Sequence, residues 1–383
     1  MSVETRSGVF IQEGVKVLTF NGVSHNYKSA KELIKGDVVC LKRKFNFPEQ
    51  DVKLNFVLPE TSRFATNTKE IVLPDVFSPE LSDWLGYVIA NGSTNANTVK
   101  MSSNISAKTA HYEYLVKNLF GIEVNVAYTE RECKSFNIFS VTIKRFLDYL
   151  CDGFSTARFK TVPKCVLSST KESQRRFLRA LFDCDANQAK GEFQFSTASE
   201  SVARDVNTIL YRFGVCSFIK RKYVKNYPDH TYWSVYVYGA DLDVLYSEIL
   251  HDSFKYLPPE AKKRNTNVNV VYGLLEKIVY DTNLVRKQLG VNRAGTYKGC
   301  NGNLLRFKAA NVLTKVCATN ISYDKLKEHY EHLCDAPEDQ KLLLEDMIQY
   351  IGDILENNYF YDIVENVGCE QTLESYSLSM FDY

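Results

Sequence analysis

Two stretches of the chain have the same character: LSDWLGYVIANG at Leu81–Gly92 and QRRFLRALFDCDA at Gln174–Ala186. In both, apolar residues recur at helical spacing, and the stretch runs to a polar residue, Asn91 in the first and Asp185 in the second. Small side chains four apart share one helix face, where they allow a second helix to approach closely. The small residues are Gly86 and Ala90 in the first stretch, and Ala180 and Cys184 in the second.

Each stretch begins the same succession of elements. After the first we predict a strand, a helix, two strands and a helix, at 98–103, 107–120, 123–129, 136–143 and from 145 onwards. After the second the same elements are predicted at 192–196, 200–213, 217–224, 233–238 and near 240. Gly121 and Gly214 follow the two middle helices, as expected where a left-handed residue leads into a strand. The repeat predicts an α+β fold with internal pseudo-two-fold symmetry.

The two stretches resemble the paired LAGLIDADG motifs of homing endonucleases, with the nine-letter pattern aligned at Trp84–Gly92 and Leu178–Ala186. The resemblance implies an α+β fold with a pseudo-two-fold tandem αββαββα core and saddle-shaped antiparallel sheets. It also implies two packed helices that each deliver one acidic residue to a metal-dependent site for cutting double-stranded DNA. It makes Asp185 a direct ligand of Mg²⁺, beside the backbone carbonyl of Cys184. It gives Asp183, at the sixth position of the pattern, a structural role.

Asn91 stands where the resemblance expects the second acid. Its amide oxygen, beside the carbonyl of Ala90, can still face a metal ion, but the side chain is neutral and cannot act as a base. Three explanations are open: a deliberate Asp→Asn substitution that traps a DNA complex, natural decay, or a shifted role for another acid. The first two are favoured because no acid lies between Trp84 and Glu113. We expect weaker metal binding at this half of the site and impaired cutting.

The resemblance also implies a lysine near each metal ion. The candidates are Lys144, at the end of the last strand of the first repeat, and Lys220 or Lys222 in the second. For each, the alternative is a lysine in solvent or on a DNA phosphate. Further sheet residues are candidates to read base edges in the major groove, where Arg and Gln match guanine and adenine; they are Lys100, Gln194, Arg221 and Tyr236.

Charge is divided unevenly along the chain, whose formal net charge is +1. Residues 331–383 hold one Lys against thirteen acidic residues, so the rest of the chain is strongly basic. Residues 158–179 net +6 and residues 255–308 net +8. Such stripes can neutralise DNA phosphates, although a basic face in solvent is the alternative. The candidate DNA-contacting residues in the two stripes are Lys160, Arg286, Lys287, Arg293 and Lys298.

Several classes of protein are excluded by composition. The ten cysteines are scattered singly without a CxxC pair, which argues against a zinc cluster and indicates reduced thiols. No apolar run approaches the roughly 20 residues that span a bilayer, and the opening MSVETRSG has no signal-peptide pattern. We expect a cytoplasmic protein without a membrane partner. It should bind DNA as a monomer, because two tandem repeats already supply the two-fold.

The two ends of the chain resemble parts of intein splicing domains. Thr5–Pro48 contains strand signals followed by AKELIKGDVV at Ala30–Val39, and Tyr361–Tyr383 resembles the penultimate intein strand block. The resemblance implies one small all-β, Hint-like domain built from both ends, with the nuclease inserted between them. We expect no splicing, because the TxxH loop is shortened at Ile11–Val15 and the chain stops before the final His-Asn.

These features divide the chain into four regions. They are a partial intein-like β-domain at 1–75 and 355–383, the repeats at 76–155 and 156–252, and a basic then acidic helical region at 253–354. The last region is expected either to contact DNA or to be a plain linker domain. The leading hypothesis is a site-specific, magnesium-dependent homing endonuclease that recognises a long DNA site. The alternatives are a LAGLIDADG-fold DNA-binding protein without catalysis, and one part of a split intein.

Overall fold

A computed structural model of the chain describes residues 2–43, 45–58, 71–128, 134–154, 156–189, 191–225, 227–256, 270–271, 321–335 and 338–369. The chain divides into two compact units. The larger unit is Lys44–Lys263, and the smaller unit combines Met1–Arg43 with Arg264–Tyr383. Both predicted repeats therefore lie in the larger unit.

The smaller unit begins with five short strands joined by tight turns. They are β1 Ser2–Thr5, β2 Phe10–Gln12, β3 Lys16–Phe20, β4 His25–Ser29 and β5 Val38–Lys42. Gly14, between β2 and β3, has a φ of +91°. Glycine adopts this left-handed conformation without a steric cost, so the chain can turn back within a few residues.

Two successive αββαββα repeats form the larger unit. The first consists of α1 Pro79–Asn91, β6 Gly92–Asn95, β7 Thr98–Ser102, α2 Ser106–Phe120, β8 Asn125–Tyr128, β9 Lys134–Phe139 and α3 Val141–Leu150. After the short helix α4 Lys164–Leu167, the second consists of α5 Lys171–Asp185, β10 Ala186–Ala189, β11 Glu192–Thr197, α6 Glu200–Arg212, β12 Ser217–Val224, β13 Tyr227–Tyr238 and α7 Asp241–Glu248. The antiparallel sheets have equivalent orders, β6-β7-β9-β8 and β10-β11-β13-β12. The tandem α+β fold predicted from the sequence is confirmed.

The last strand of the first repeat is shorter than predicted. It ends at Phe139, and α3 begins at Val141, whereas the sequence suggested a strand as far as Ile143. The Ser140 hydroxyl accepts a hydrogen bond from the backbone N–H of Ile143 at 3.1 Å, which satisfies one of the unpaired donors at a helix start. Lys144 is consequently a helical residue and does not end a strand.

Each sheet of the larger unit has one apolar and one polar face. Side chains directly opposite each other on neighbouring strands point to the same side of a sheet. The buried pairs Phe195 with Val235 and Val99 with Ile138 face the hydrophobic core. The opposite faces carry the pairs Gln194 with Tyr236, Ser234 with Lys220, and Lys100 with Asn137.

The helices α1 and α5, called the motif helices below, pack directly against each other. A Cβ atom added to Gly86 would lie 2.6 Å from the carbonyl oxygen of Phe177 and 2.8 Å from the Cβ of Ala180. Near the helix starts, the Ser82 hydroxyl donates to the carbonyl oxygen of Ser173 at 2.5 Å. Because early turns meet early turns and middle turns meet middle turns, the helices run in the same direction and end side by side.

The segment before α1 belongs to the larger unit. Leu54 and Phe77 are buried in its hydrophobic core, and Phe56 packs against that core. A backbone bridge joins Lys53 to Val76. The structure thus differs from the sequence-based division at residue 75, because these apolar side chains cover the first repeat.

The C-terminal elements complete the smaller unit. They are β14 Val270–Val271, β15 Ile321–Ser322, α8 Tyr323–Cys334, α9 Glu338–Asn357 and β16 Tyr359–Cys369. β16 pairs with both β1 and β5 in a six-stranded sheet of order β2-β1-β16-β5-β3-β4. The first and last strands described in the structure therefore share one sheet.

The helices α8 and α9 share a core with this sheet. Leu326 and Ile351 are fully buried in one cluster with Phe20 and Tyr361. The sequence grouped these acidic helices with a separate region at 253–354. In the structure, their apolar faces pack against the sheet of the smaller unit. Among the helices that the structure describes, none combines the length and apolar character needed to cross a membrane.

Candidate functional site

Asn91 and Asp185 end the two motif helices, at the ends that lie side by side. Both side chains are partly exposed. Each helix passes directly into a strand, and the last turns are closed by the N–H of Gly92 on Val88 and the N–H of Ala186 on Phe182. The remaining carbonyl groups of a helix end carry partial negative charge, so this place favours a cation.

Lys160 supplies a cation to the end of α1. Its ammonium donates to the carbonyl oxygens of Ile89 at 2.7 Å and Gly92 at 2.9 Å, and it lies 5.0 Å from the ring centre of Phe154. The residue is only 8% exposed. Burial lowers the pKa of the ammonium to about 8, while the nearby Asp185 carboxylate acts in the opposite direction. The sequence assigned Lys160 to DNA contact, but the structure places it beneath the helix end.

Lys255 supplies the equivalent cation to the end of α5. Its ammonium donates to the carbonyl oxygen of Ala186 at 2.7 Å, and the hydroxyl of Tyr256 donates to the same oxygen. Burial lowers the pKa of Lys255, and the neighbouring ammonium of Lys108 lowers it further. This lysine was not among the residues selected from the sequence.

Lys160 and Lys255 occupy equivalent positions in the two repeats. Gly92 and Ala186, whose carbonyls they bind, are the residues that follow Asn91 and Asp185. A sequence signal for this equivalence exists, because both lysines lie in the pattern Phe-Lys-x-(Val/Leu)-Pro, as FKTVP at 159–163 and FKYLP at 254–258. The pattern follows the third helix of each repeat.

Lys108, from α2, places a third ammonium beside Asp185. It is 2% exposed, and its Nζ lies 3.4 Å from the Sγ atom of Cys184. Burial raises the pKa of the Asp185 carboxyl, and Lys160, Lys108 and Lys255 counteract it in that order. Burial also raises the pKa of the Cys184 thiol to about 12, so the sulfur carries no charge at neutral pH. The end of the motif helices is therefore an electropositive site around one carboxylate.

The cations that act on the Asp185 carboxyl are not the three lysines selected as catalytic candidates. Lys144 projects from α3 and forms an ion pair with Asp148 four residues later. Lys220 and Lys222 are exposed on β12, at alternate positions and hence on one face of the sheet. Lys220 lies over the ring of Tyr236, at 5.2 Å from the ring centre.

The candidates for base contact fall on two different faces. Lys100, Gln194 and Tyr236 lie on the polar faces of their sheets. Arg221 pairs across strands with Trp233 and stacks over its ring at 5.1 Å, on the side opposite to Gln194. It therefore does not share a surface with the other candidates. Arg286, Lys287, Arg293 and Lys298 lie outside the described residues.

The oxygen atoms available as metal ligands at the helix ends come from two side chains and two backbone carbonyls. Within the described ranges, no group of three or more His, Cys, Asp or Glu gathers in a way that would hold a metal ion. Asp185 offers a carboxylate and Asn91 an amide oxygen, while Ala90 and Cys184 offer backbone carbonyls. Mg²⁺ is commonly bound through one or two carboxylates, with water and substrate phosphates as the other ligands.

Residues 172–250 match a family model described as a LAGLIDADG-like domain. The match begins within the first turn of α5 and ends just after α7, so it covers the second αββαββα repeat. The matched residues include Asp185.

The chain is also similar to parts of longer proteins. An A-type ATP synthase protein of Pyrococcus abyssi is 29% identical over 267 residues, which are 68% of this chain and 25% of that protein. The Replication factor C small subunit of Methanocaldococcus jannaschii is 25% identical over 298 residues, 76% of this chain and 15% of that protein. The chain thus spans a quarter or less of the length of these relatives.

The chain is also similar to solved structures, among them two of homing endonucleases bound to DNA. The homing endonuclease I-DmoI in complex with DNA and Ca has a TM-score of 0.38 at 12% identity, with 48% of this chain and 96% of that chain covered. The homing endonuclease I-WcaI bound to its DNA recognition sequence has a TM-score of 0.35 at 13% identity, with 46% and 83% covered.

Proposed function

We propose that this chain is a site-specific endonuclease for double-stranded DNA that uses a divalent metal ion, Mg²⁺ in the cell. The observation that carries the proposal is the group of side chains gathered where the motif helices end. They are the carboxylate of Asp185, the amide of Asn91 and the ammonium groups of Lys108, Lys160 and Lys255. A carboxylate can hold a cation, and the ammonium groups attract the phosphate that the reaction must cleave.

The side chains have distinct proposed roles. Asp185 holds the metal ion, with Asn91 and the carbonyls of Ala90 and Cys184 as weaker oxygen donors. When bound, the ion supplies a Lewis acid and lowers the pKa of an attacking water. Lys160 and Lys255 are each fixed on a backbone carbonyl, so their charge is in place before the substrate arrives. We propose that they stabilise the negative charge that develops on the phosphate and the leaving oxygen.

The polar faces of the two sheets are proposed to contact the duplex. Each sheet begins with a strand that leaves a motif helix directly, β6 after Asn91 and β10 after Asp185. Lys100, Gln194 and Tyr236 on these faces are proposed to contact base edges. Lys220 and Lys222 are proposed to contact the DNA rather than the reacting phosphate, because they lie on the exposed part of β12.

Asn91 supports a second candidate, a DNA-binding protein without cleavage. The end of α1 already has a cation, because Lys160 binds the carbonyl oxygens of Ile89 and Gly92, and Asn91 adds no negative charge that would attract another. We infer that divalent metal binds weakly at this half of the site. The consequence would be cutting of one strand only, or binding alone.

An intein-like origin is proposed for the chain as a whole. Relatives named as components of an ATP synthase and of a replication factor match most of this chain with a small part of their own length. A segment common to proteins with such different names is best explained as an inserted element. The sheet that joins β1, β5 and β16 supports the proposal, since it brings both sides of an inserted nuclease together. Absence of splicing, a monomeric state and a cytoplasmic location remain predictions.

Selection from a DNA library tests the proposed function. Plasmids with random duplex inserts are incubated with the protein and Mg²⁺, and nicked and linear products are recovered and sequenced. We expect a single enriched site, lost without metal and lost in Asp185→Asn. Enrichment by binding but no cut product, also after Asn91→Asp, would favour the second candidate. Equal cutting by the wild type and Asp185→Asn would reject both the site and its proposed chemistry.

A further inference from the structure

We propose that Asp183 and Ser253 are positioning residues that hold the turn carrying Lys255 and Tyr256 against the end of α5. The inference rests on the proposed function for its catalytic consequence, because Lys255 acts there on the phosphate. Its structural part, the fixing of Lys255, stands on the contacts of the turn. The two parts have separate measurements.

Asp183 is bonded on both carboxylate oxygens. One oxygen accepts from the hydroxyl of Ser253 at 2.5 Å, and the other accepts from the backbone N–H of Phe254 at 3.4 Å. The second oxygen also lies 3.5 Å from the guanidinium of Arg179. The residue is 1% exposed. Because these neighbours surround the carboxylate, Asp183 faces the turn and not the space beyond the helix end.

Ser253 links Asp183 to the backbone of Lys255 and Tyr256. Its hydroxyl oxygen accepts from the backbone N–H groups of Lys255 at 3.1 Å and Tyr256 at 2.9 Å, while its proton is donated to Asp183. Both side chains that follow then donate to the carbonyl oxygen of Ala186, next to Asp185. One hydroxyl thus connects the carboxylate of α5 to the direction in which Lys255 leaves the chain.

Two further contacts place the same turn on α5. Asp252 accepts hydrogen bonds from Arg175 at 2.7 and 3.1 Å. The ring of Phe254 lies 5.0 Å from the guanidinium carbon of Arg179. These contacts hold the turn near the helix, but neither touches Lys255 or Tyr256. The contact from α5 that reaches the backbone N–H groups of Lys255 and Tyr256 runs through Ser253.

In the first repeat, Lys160 is held in place by different contacts. The position of Asp183 is occupied by Ile89 in α1, so no carboxylate is available there. Lys160 is 8% exposed and binds two carbonyl oxygens at the end of α1, and its own carbonyl accepts from the hydroxyl of Ser199 at 2.6 Å. Lys255 is exposed and binds one carbonyl oxygen. The more exposed lysine is the one that requires the extra acid.

Trace acetylation of the full chain, read by mass spectrometry, tests whether Lys255 is fixed. The variants are Ser253→Ala, Asp183→Asn and the conservative Ser253→Thr, with Ser140→Ala as the matched control. Ser140 is a buried serine whose hydroxyl also accepts a hydrogen bond from a backbone N–H group, so Ser140→Ala removes a serine hydroxyl outside the turn. We expect the reactivity of Lys255 relative to Lys220 to rise about fivefold in Ser253→Ala. Loss of the hydrogen bond between the Lys255 ammonium and the Ala186 carbonyl, about 1 kcal/mol, corresponds to this factor. This relative reactivity should also rise in Asp183→Asn. It should equal the wild-type value in Ser253→Thr and in Ser140→Ala.

DNA cleavage by the same variants tests the catalytic consequence. We expect kcat on the selected site to fall about tenfold or more in Ser253→Ala with KM for DNA unchanged, since misplacing a fixed charge affects the transition state more than binding. Ser253→Thr should restore kcat. A merely structural serine would lower the thermal stability and leave kcat of the folded fraction unchanged, as expected for Ser140→Ala.

The outcomes separate the inference from the proposed function. Unchanged Lys255 reactivity in both Ser253→Ala and Asp183→Asn overturns the inference, whatever the DNA assay gives. Released Lys255 with an unchanged kcat overturns its catalytic part alone. If the wild type cuts no DNA but Lys255 is released in the variants, the proposed function fails and the positioning of Lys255 stands.

Discussion

The ammonium of Lys160 donates to the carbonyl oxygen of Gly92 at 2.9 Å, the residue immediately after Asn91. Lys255 has the same relationship to Ala186, the residue immediately after Asp185. Each repeat therefore brings one lysine back to the end of its own motif helix. The pseudo-two-fold of the fold extends to these positive charges, whereas the acidic partner is present in the second repeat alone.

The buried charge of Lys160 should leave a signature in the pH dependence of stability. Its pKa is about 8 in the folded protein against 10.5 for an ordinary lysine, because burial disfavours the charged form. Between these values the unfolded chain binds more protons than the folded one, so the stability of the wild type rises with pH in this window. Lys160→Met removes this pH-dependent contribution to the free energy of unfolding. The free energy of unfolding, wild type minus variant, should increase by about 3 kcal/mol between about pH 7 and about pH 11.

Urea denaturation with a chelator present measures this difference. Lys220→Met, an exposed lysine of β12, is the matched control. If the difference in free energy of unfolding between the wild type and Lys160→Met did not change from about pH 7 to about pH 11, the ammonium would not be held in a buried environment.

Asn91→Asp should restore a second acidic ligand. Two carboxylates at adjacent helix ends repel each other without metal, so the variant should be less stable than the wild type in chelator. With Ca²⁺ the order should reverse, and affinity for the ion should rise about tenfold because a charged oxygen replaces a neutral one. Isothermal titration measures the affinity. If the wild type nicks its DNA site, the variant should produce linear DNA.

Asn55→Asp is a suitable control for the added charge, because Asn55 is exposed and precedes α1 in the chain. It should change neither ion affinity nor the products. Equal ion affinity of Asn91→Asp and the wild type would contradict a metal role for this position.

The sequence predicted the helix pair well because the pairing depends on local features. Apolar spacing, the small residue Gly86 and the acid Asp185 all lie within one short stretch or its repeat. The lysines were harder to assign, since Lys160 and Lys255 reach the site from segments beyond the third helix of each repeat. Their shared FKxxP pattern is visible only when the two repeats are compared at that point. Lys108 has no such pattern, and only the packing of α2 brings it to Cys184.

Strand alternation in the sequence also did not show which side of β12 faces the core. It separates Lys220 from Arg221, but it does not say which set faces the core. The cross-strand register decides this, because Arg221 lies opposite the buried Trp233. For Lys144, the hydroxyl of Ser140 starts a helix where apolar residues alone suggested a strand.

Gly86→Ala should destabilise the pair of motif helices. Its new methyl group would lie 2.6 Å from the carbonyl oxygen of Phe177 and 2.8 Å from the Cβ of Ala180, so the helices must separate. We expect a loss of about 1–3 kcal/mol in the free energy of unfolding. In the double variant with Ala180→Gly, the loss should be smaller than the sum of the single losses, because one of the two clashes is removed. Urea denaturation measures all four proteins, and a neutral Gly86→Ala would contradict this close packing.

Lys220, Lys222 and Arg221 are consecutive on one strand and should differ in their contribution to DNA binding. The two lysines share the polar face, whereas Arg221 stacks on Trp233 on the other side. Each lysine that meets a phosphate releases counterions, so Lys220→Ala and Lys222→Ala should each reduce the slope of log affinity against log salt by about 0.9. Arg221→Ala, which removes the same charge from the same strand, should leave this slope unchanged and lower the thermal stability instead. Fluorescence anisotropy with a labelled duplex at several salt concentrations measures the slopes. An equal change in all three variants would mean that the polar face is not the surface that binds DNA.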